Sequence, residues 1–483
     1  MIRSLTSDSR RVAPGAAFFA WPGESGDGRG HIADAVSRGA SAVVWESEGF
    51  DWRAEWGVPN VGVRNLRQAA GAIAGDFYGR PSESLWMCGV TGTNGKTSCS
   101  QWIAAALQAA GTSSGVVGTL GAGISGQLAA VGNTTPDALE LQRMLAEMRD
   151  AGARAVAMEA SSHGLAQGRV NGVAFDCALF TNLSHDHLDY HGSMEAYAAA
   201  KARLFGFESL THAVLNMDDV LGVQLASQLA GQRAARGLQV TGYSLSAAGI
   251  APGSVSATLA ARDIRVGSQG SEFTLQGSWG TRAVRIRQVG RFNVANALGV
   301  LGCLLASGME IDAALEQLAA LPDVAGRMQA LGGGSRPLVV IDYAHTPDAL
   351  EKALNTLRPV ADAGRGRLVA VFGAGGDRDA AKRPLMGEIA SRLADLVVLT
   401  SDNPRSEDPG VIIEAIRGGV RGVHEVQPDR SIAIAGAIRA ARPGDVVLVA
   451  GKGHEAYQEV AGRKLPFSDV VVAEQSLSAW GDA

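Results

Sequence analysis

The segment Thr91–Thr97, Thr-Gly-Thr-Asn-Gly-Lys-Thr, contains the residue types that bind a phosphate group. Its glycines let backbone N–H groups approach phosphate oxygens, Lys96 supplies a positive charge, and the Thr97 hydroxyl can bind Mg²⁺. The segment departs from the strict G-x-x-x-x-G-K-[ST] pattern because Val90 stands five residues before Gly95. A purely structural glycine turn is the alternative. The strand predicted before the loop and the helix predicted after it favour phosphate binding.

Further along the chain, two segments carry possible metal ligands. Glu159 follows a predicted buried strand, where a nucleotide-bound Mg²⁺ would need an oxygen ligand, although a lone glutamate there is more often solvated or a helix cap. Residues 181–191 contain three histidines and two aspartates, which zinc, Mg²⁺ or a polar turn would each explain. Because a phosphate-loop enzyme needs oxygen-rich sites, we favour a substrate or Mg²⁺ role over dedicated zinc. Lys201 lies in an alanine-rich helical segment, which by itself is typical of a solvated lysine.

The last third of the chain has polar segments after several predicted strands. Residues 373–379 are not a G-x-G-x-x-G fingerprint, because Arg378 occupies the last glycine position, and this disfavours a dinucleotide. If parallel strands bring Arg378, Arg405 and Glu455 into one crevice, guanidinium and carboxylate groups there would bind a zwitterion. This favours an amino acid as substrate. Independent surface salt bridges are the alternative.

The elements that must position these residues form an α/β pattern with a predicted domain of 1–81, a second of 82–322 and a third of 323–483. Buried apolar runs that end in polar clusters, separated by helix-length segments, indicate doubly wound parallel sheets. Residues 250–290 alternate apolar and polar side chains, which predicts an antiparallel insertion at the end of the middle domain. The predicted strands are 16–20, 42–45, 85–90, 155–158, 178–180, 338–341, 368–372, 396–400 and 446–450.

Composition excludes some classes of function. A net charge of −5 over 483 residues provides no broad basic field for nucleic acid, so small-molecule substrates are expected. The sequence has no signal-like apolar core at its start and no apolar run long enough to span a membrane, so we expect a cytoplasmic protein without membrane insertion. The cysteines are far apart and form no C-x-x-C pair, so neither a disulfide framework nor a cysteine metal site is expected. They are Cys88, Cys99, Cys177 and Cys303.

Taken together, these segments resemble the Mur ligase family, and within it the synthetases that add the third residue of the peptidoglycan stem peptide. The resemblance spans essentially the whole chain and lies in motifs that occur in family order. It implies a small N-terminal α/β domain that binds a uridine nucleotide, a central P-loop ATPase domain with a doubly wound sheet, and a C-terminal Rossmann-like domain. The motifs are TGTNGKT, E-x-SSHGL-x-Q-x-R, TNLS-x-DHLDYHG, GRFN-x-xNA, DYAHTPDAL, GGDRD-x-xKRP, DNPR and GKGHE.

The resemblance implies an ATP-dependent ligase of the cell-wall pathway, which cell shape and division require. The expected reaction joins meso-diaminopimelate to the D-Glu γ-carboxylate of UDP-MurNAc-L-Ala-D-Glu through an acyl phosphate, releasing ADP and phosphate. The DNPR box resembles that of the diaminopimelate-adding enzymes, in which Arg405 would pair with the distal carboxylate. A lysine-adding ligase and a folylpolyglutamate synthetase are the alternatives within the family. A kinase and a nucleotide-binding regulatory protein without turnover are the alternatives outside it. A monomer is expected.

Site residues carried over from the resemblance fall into four groups. Lys201 matches the lysine that the family carbamylates, so N6-carboxylysine is expected there, where a carbamate would provide anionic oxygens for a pair of Mg²⁺ ions. His185 stands where relatives often have arginine. The catalytic set is Lys96, Glu159, His187 and Lys201, and Thr97 joins the last three as metal ligands. The ATP set is Gly92, Thr93, Asn94, Gly95, Lys96, Thr97, Asn296, Arg327, Asp342 and His345. The UDP-substrate set is Ser9, Asn133, Thr134, Thr135, Ser161, Gln167 and Arg169, and the amino-acid set is Arg378, Asp402, Asn403, Arg405, Gly451 and Glu455.

Overall fold

A computed structural model describes residues 1–24, 26–246, 250–251 and 253–481. The chain forms two compact units. The first contains Met1–Ser244, a short stretch that ends at Leu259, and Leu298–Gln317. The second contains mainly Ala260–Ala297 and the chain from Leu318 onwards. The α/β class is confirmed, and the three predicted domain boundaries stay a prediction. Within the described ranges, no helix has the length and apolar character needed to cross a membrane.

Strands and helices alternate along most of the chain. The strands are β1 (Ser4–Thr6), β2 (Ala16–Ala20), β3 (Ala42–Glu46), β4 (Asn60–Val63), β5 (Trp86–Thr91), β6 (Ser114–Gly118), β7 (Gly121–Ile124), β8 (Ala155–Glu159), β9 (Cys177–Phe180), β10 (His212–Asn216), β11 (Gln239–Ser244), β12 (Ala257–Gly267), β13 (Gly270–Gly277), β14 (Gly280–Ile286), β15 (Gln329–Gly332), β16 (Leu338–Asp342), β17 (Leu368–Phe372), β18 (Leu396–Leu399), β19 (His424–Val426), β20 (Val446–Ala450), β21 (Tyr457–Val460) and β22 (Arg463–Pro466). The helices are α1 (Ile32–Ser37), α2 (Leu66–Phe77), α3 (Lys96–Ala109), α4 (Ala138–Asp150), α5 (Ser162–Ala166), α6 (Leu188–His191), α7 (Met194–Ala202), α8 (Val220–Arg236), α9 (Arg291–Ala306), α10 (Ile311–Ala319), α11 (Pro347–Ala363), α12 (Lys382–Leu393), α13 (Pro409–Arg417), α14 (Arg430–Ala440) and α15 (Asp469–Ser478).

The first unit begins with a parallel sheet in the order β1-β2-β3-β4. Side chains of β2 alternate between its two faces, as the period of a strand requires. Phe19 packs with Leu66 of α2 on one face, whereas Phe18 packs with Ile32 of α1 on the other. An apolar run that is buried on both faces therefore forms the centre of this sheet, as the sequence predicted for residues 16–20.

A second sheet in the first unit holds the phosphate-type loop. Its strands run in the order β11-β10-β9-β5-β8-β6-β7, and all of these pairs are parallel except the antiparallel edge pair of β6 and β7. The chain enters at β5 and later places β8 on one side of it and β9 on the other. This is a topological switch point, where the loops after neighbouring strands separate and leave a crevice for a ligand. The doubly wound pattern predicted for this region is confirmed.

In the second unit, β13 and β14 form an antiparallel pair, as predicted for residues 250–290, of which residue 252 lies outside the described residues. The placement of this insertion at the end of the middle domain stays a prediction, since Ala260–Ala297 belong to the second unit. Six strands form a sheet in the order β15-β16-β20-β17-β18-β19, and β21 and β22 pair in a separate two-stranded sheet. Only the edge pair of the six-stranded sheet, β15 and β16, is antiparallel. Adjacent residues of β16 point to opposite faces of the sheet, so Val340 and Val339 pack into separate cores. The four strands predicted here from buried apolar runs correspond to β16, β17, β18 and β20.

A buried ion pair joins the first residues of α14 and α15 and connects them to the ends of two strands. The Arg430 Nε donates to Asp469 Oδ1 at 2.7 Å and its NH2 donates to Asp469 Oδ2 at 2.8 Å. Both side chains are fully buried. Arg430 also donates to the carbonyl oxygen of Ala450, the last residue of β20, and to that of Ser401, which follows β18. The pair therefore fixes α14 and α15 against the sheet.

We expect Asp469→Ala to lower the free energy of unfolding by about 3 to 5 kcal/mol, because it leaves the Arg430 guanidinium buried and unpaired. Urea unfolding followed by circular dichroism measures the change. The control is Glu414→Ala, which removes an exposed partner of Arg417 and should cost less than about 1 kcal/mol. Equal losses for the two variants would contradict the structural role given to the buried pair.

Candidate functional site

The loop Thr91–Thr97 connects β5 directly to α3, with Gly95 as the residue that precedes the helix at φ 86°. A Cβ atom at Gly92 would lie 1.9 Å from the Thr181 Oγ1 atom, so only glycine fits beside the chain that leaves β9. The Lys96 Nζ donates to the carbonyl oxygens of Gly92 at 2.9 Å and Thr93 at 2.8 Å. The loop thus curls around the lysine at a helix N-terminus, a position that favours anions.

Glu159 lies beside this loop because β5 and β8 pair in register, with Val90 opposite Glu159. The carboxylate is almost fully buried. Its Oε2 accepts a hydrogen bond from Thr97 Oγ1 at 3.1 Å, and its Oε1 accepts one from the Thr119 backbone N–H at 2.7 Å. The Thr119 hydroxyl also donates to Oε2 at 3.2 Å. Thr119 orients the carboxylate, and it was not among the residues predicted from the sequence.

Lys201 is buried, with 1% of its surface exposed. Its alanine-rich helical segment, taken by itself, favoured a solvated lysine, and that interpretation is wrong. One face of α7, which includes Tyr197 and Lys201, packs inward. The Lys201 Nζ donates to the Gly92 carbonyl oxygen at 2.8 Å and lies 4.1 Å from the centre of the Tyr197 ring. Burial, and then the charge of Lys96, lower the pKa of Lys201 well below its usual value. Burial thus favours the neutral amine, which is a nucleophile.

Tyr197 connects Lys201 with the histidine-rich segment. Its hydroxyl is 3.2 Å from Thr93 Oγ1, and its ring centre is 6.1 Å from that of His187. His187 has a left-handed backbone at φ 52° and an exposed side chain, and its Nε2 is 3.6 Å from Asp186 Oδ2. His185 is exposed as well. Tyr197 was missed in the sequence because an aromatic residue on a short helix is usually part of a core.

Most residues of the predicted UDP-substrate set form one hydrogen-bonded network. The Thr135 hydroxyl donates to the Glu159 carbonyl oxygen at 2.8 Å and lies 2.9 Å from Ser161 Oγ. Arg169 donates to the Thr135 carbonyl oxygen and to Gln167 Oε1, both at 2.8 Å. Burial lowers the pKa of Arg169, because it removes water from around the charged guanidinium.

Glu24 joins this network from the N-terminal sheet region and was not identified from the sequence. Its Oε1 accepts hydrogen bonds from Gln167 Nε2 and from the Tyr190 hydroxyl, both at 2.7 Å. A lone glutamate in a polar loop carries no sequence signal for this contact. Thr134 lies 3.1 Å from Thr119, hydroxyl to hydroxyl. Of the two other predicted residues of this set, Ser9 is buried and Asn133 is exposed.

Four residues of the predicted ATP set lie in the second unit. The Asp342 Oδ2 accepts a hydrogen bond from the Met328 N–H at 2.8 Å, and burial raises the pKa of Asp342. Arg327 stacks over Tyr343, with its Cζ 5.0 Å from the ring centre, and its buried Nε has no hydrogen-bond partner among the described residues. A buried donor of this kind is expected where a ligand binds. The other two are His345, whose Nδ1 lies 2.7 Å from the Tyr343 carbonyl oxygen, and Asn296, which is buried in α9.

Two residues of the amino-acid set, the buried Asn403 and the half-buried Glu455, form a compact polar cluster with Lys452. The Asn403 Nδ2 donates to Glu455 Oε2 at 2.7 Å. The Lys452 Nζ, fully buried, donates to Asn403 Oδ1 at 2.8 Å and to Glu455 Oε2 at 3.0 Å. Lys452 was not among the predicted site residues, although the GKGHE motif contains it, because a lysine between glycines resembles a surface turn. It fixes the orientation of both partners.

Arg405 lies next to this cluster with a left-handed backbone at φ 53°. Its NH1 donates to the Gly376 carbonyl oxygen at 2.6 Å, and its Nε is 3.4 Å from Glu459 Oε2. A Cβ at Gly375 would be 3.0 Å from Arg405 NH1 and 3.8 Å from the Arg378 Cγ, so the two arginines flank one glycine loop.

Asp402 and Gly451 also meet, since a Cβ at Gly451 would lie 2.3 Å from Asp402 Oδ2. This buried oxygen has no hydrogen-bond partner among the described residues. Cationic, anionic and amide groups are therefore all present where β17, β18 and β20 end, as recognition of a zwitterion requires.

We expect Gly92→Ala to weaken the binding of Mg-ATP by more than about tenfold, because the new methyl group would overlap Thr181 and displace the loop. Calorimetric titration measures the affinity, and circular dichroism checks the fold. Gly126→Ala is the matched control: Gly126 also has a positive φ, 91°, but no heavy atom lies within 4 Å of its Cβ position. Equal affinities in the two variants would refute the steric argument.

Comparison with known proteins gives matches along the whole chain. Three family descriptions match it: "Mur ligase family, catalytic domain" at residues 1–78, "Mur ligase middle domain" at 90–304 and "Mur ligase, glutamate ligase domain" at 326–453. The UDP-N-acetylmuramoyl-L-alanyl-D-glutamate--2,6-diaminopimelate ligase of Chromobacterium violaceum is 51% identical over 482 residues, which cover 99% of this chain and 95% of that protein. The ligase of the same name from Pseudomonas aeruginosa is also 51% identical, with 99% and 96% covered.

Solved structures of ligases are similar to this chain over nearly its whole length. A structure titled as a UDP-N-acetylmuramoyl-L-alanyl-D-glutamate--2,6-diaminopimelate ligase superposes with a TM-score of 0.73 at 37% identity, covering 99% of this chain and 95% of that one. The MurF ligase of Thermotoga maritima in complex with ADP gives a TM-score of 0.63 at 18% identity, covering 99% and 98%, and supports the fold alone. With matching sequence, fold and order of polar loops, the chain belongs to the Mur ligase family.

Proposed function

We propose that this protein is an ATP-dependent ligase that joins meso-diaminopimelate to the D-Glu γ-carboxylate of UDP-MurNAc-L-Ala-D-Glu. It would act as a monomer in the cytoplasm, in peptidoglycan synthesis. The observation that carries the proposal is the 51% identity, over 99% of the chain, to ligases whose names specify this acceptor and 2,6-diaminopimelate. The buried polar groups described above are consistent with each part of that reaction.

The proposed reaction has two steps. A γ-carboxylate oxygen of the acceptor bonds to the γ-phosphorus of ATP while the β–γ bridging P–O bond breaks, giving ADP and an acyl phosphate. The amine of diaminopimelate then bonds to the acyl carbon and loses a proton, and the C–O bond to phosphate breaks. Lys96 and the N–H groups of residues 92–97 would neutralise the charge on the transferred phosphoryl group. We assign Arg327, Asp342, His345 and Asn296 to ATP by resemblance.

The donor set around the loop fits Mg²⁺. The Thr97 hydroxyl and the Glu159 carboxylate lie 3.1 Å apart. Both are hard oxygen ligands, the type that Mg²⁺ prefers. Bound there, Mg²⁺ would withdraw charge from the phosphate oxygens. His187 is assigned as a further ligand by resemblance only.

Lys201 would contribute to the same site as a carbamate. Its neutral amine attacks the carbon of CO₂ and then loses a proton, so an uncharged group becomes an anionic group with two oxygens. The amine itself is a poor ligand for Mg²⁺, whereas carbamate oxygens suit it. The buried position of Lys201 and its lowered pKa support this assignment.

Selection of the amino acid is assigned to the cluster after β18 and β20. The Arg405 guanidinium would pair with the distal carboxylate of diaminopimelate through two parallel hydrogen bonds. Glu455 and Asn403, held by Lys452, would receive its ammonium group. L-Lysine lacks the distal carboxylate and would leave Arg405 without this partner, which disfavours the lysine-adding alternative.

The reaction is tested by release of phosphate and ADP from Mg-ATP with UDP-MurNAc-L-Ala-D-Glu and either meso-diaminopimelate, L-lysine or no amino acid. We expect release only with the acceptor and diaminopimelate together. Equal rates with lysine would contradict the assignment of Arg405, and a stable phosphorylated product would indicate a kinase.

Arg405→Ala should lower kcat/KM for diaminopimelate by about 100-fold, equivalent to about 3 kcal/mol for a lost charged hydrogen-bonding partner. Arg417→Ala, which removes an exposed arginine of the same unit, is the control and should change little. A loss confined to ATP affinity in the Arg405 variant would show that the residue acts elsewhere.

Lys201→Ala should reduce turnover by about 1,000-fold, since it removes the carbamate that would hold the metal. Short carboxylic acids such as acetate, or added bicarbonate, should partly restore activity by filling the space with an anionic group. Steady-state rates with and without the acid measure this. Near-normal activity without rescue would refute the carbamate.

A further inference from the structure

Three cysteines that are distant in the sequence meet in the core of the first unit. Cys88 of β5 and Cys177 of β9 are direct partners in the register of two parallel strands, so their side chains leave the same face of the sheet. Cys303 of α9 completes the group. Strand pairing and helix packing therefore bring together three cysteines that lie far apart in the sequence. The expectation that they form no metal site stays a prediction.

The helix comes close enough because two small residues face the sheet. A Cβ at Gly302 would lie 2.7 Å from Val214 Cγ1, and one at Gly299 would lie 3.0 Å from Leu179 Cδ1. Any side chain at these positions would push α9 outward and move Cys303 away from the strands. The close approach is therefore what positions the third thiol.

The geometry suits one ion with three sulfur ligands. The sulfur atoms of Cys88, Cys177 and Cys303 all lie within 4.8 Å of one another, and all three residues are fully buried. Bonds of about 2.3 Å to sulfur in a pyramidal three-coordinate site separate the sulfurs by about 3.5 Å. Small side-chain rotations would thus close the group around a single ion.

Charge decides which ion. The three cysteines are fully buried in the core of the first unit, where a net charge is not solvated by water. Three thiolates around a divalent ion would leave a net negative charge in the core, which is costly. A trivalent ion would leave none.

We propose that Cys88, Cys177 and Cys303 form a binding site for a trivalent thiophilic metalloid, for which arsenous acid is the probe. Three S–H bonds and three As–O bonds break, three As–S bonds form, and three water molecules leave. Arsenic stays trivalent, so no oxidant or reductant is needed. Arsenous acid is uncharged at neutral pH, which lets it enter an apolar core. The site is independent of the proposed ligase reaction.

The thiols differ in a way that would start the reaction. Hydrogen bonds from the thiols of Cys177 and Cys303 lower the pKa of Cys88, whereas burial raises the pKa of Cys303. Cys88 is therefore the first nucleophile, and the thiolate is the reactive form of cysteine. Cys99, also buried, has no place in the cluster and a pKa that burial raises.

The test is to incubate the folded full-length protein with sodium arsenite, and separately with Zn²⁺, and to record intact mass and thiol alkylation. We expect one arsenic atom per chain, with the loss of three hydrogens, and protection of Cys88, Cys177 and Cys303 but not Cys99 in peptide maps. Cys303→Ala should weaken binding at least about 100-fold, because one of three covalent ligands is lost. Cys99→Ala is the matched control and should bind as the unaltered protein does.

Three outcomes would overturn the proposal. They are no arsenic on the folded chain, the same affinity in Cys303→Ala as in Cys99→Ala, and tighter binding of Zn²⁺ than of arsenite to the three thiols. The peptide map of the unaltered protein decides the matter even where a variant fails to fold.

Discussion

The carbonyl oxygen of Gly92 accepts hydrogen bonds from two lysines, Lys96 at 2.9 Å and Lys201 at 2.8 Å. Two ammonium groups on one acceptor repel each other. Lys201 is the more deeply buried of the two. Burial, and then the charge of Lys96, lower the pKa of Lys201 well below its usual value, which favours the neutral amine that can react with CO₂.

Several neighbouring residues and strands of the first unit position the Gly92 carbonyl group and the two lysines. Gly92 can lie against Thr181 only because it lacks a side chain, and β5 must lie between β8 and β9 for Glu159 and Thr181 to flank the loop. Tyr197 covers Lys201 with its ring and holds Thr93 through its hydroxyl. The phosphate-type loop, the carboxylate and the buried amine are thus parts of one packed unit.

Sequence reasoning predicted what local pattern determines. Strands such as 16–20 and 446–450 are uninterrupted apolar runs, and the glycine loop has a residue-by-residue reason for its composition. It did not predict the burial of Lys201 from its helix, because the side that a lysine presents depends on what packs against it. Thr119, Glu24 and Lys452 were missed for the same reason: each acts by orienting another polar group. The cysteine cluster depends on strand register and on the closeness of α9, neither of which spacing along the chain reveals.

The central proposal is that the neutral amine of Lys201 reacts with CO₂ to form a carbamate. The most direct measurement is the ¹³C NMR spectrum of the protein equilibrated with ¹³C-labelled bicarbonate at neutral pH. The account predicts one carbamate resonance that disappears in Lys201→Arg and persists in Lys96→Arg. Absence of the resonance from the unaltered protein, or its persistence in Lys201→Arg, would contradict it.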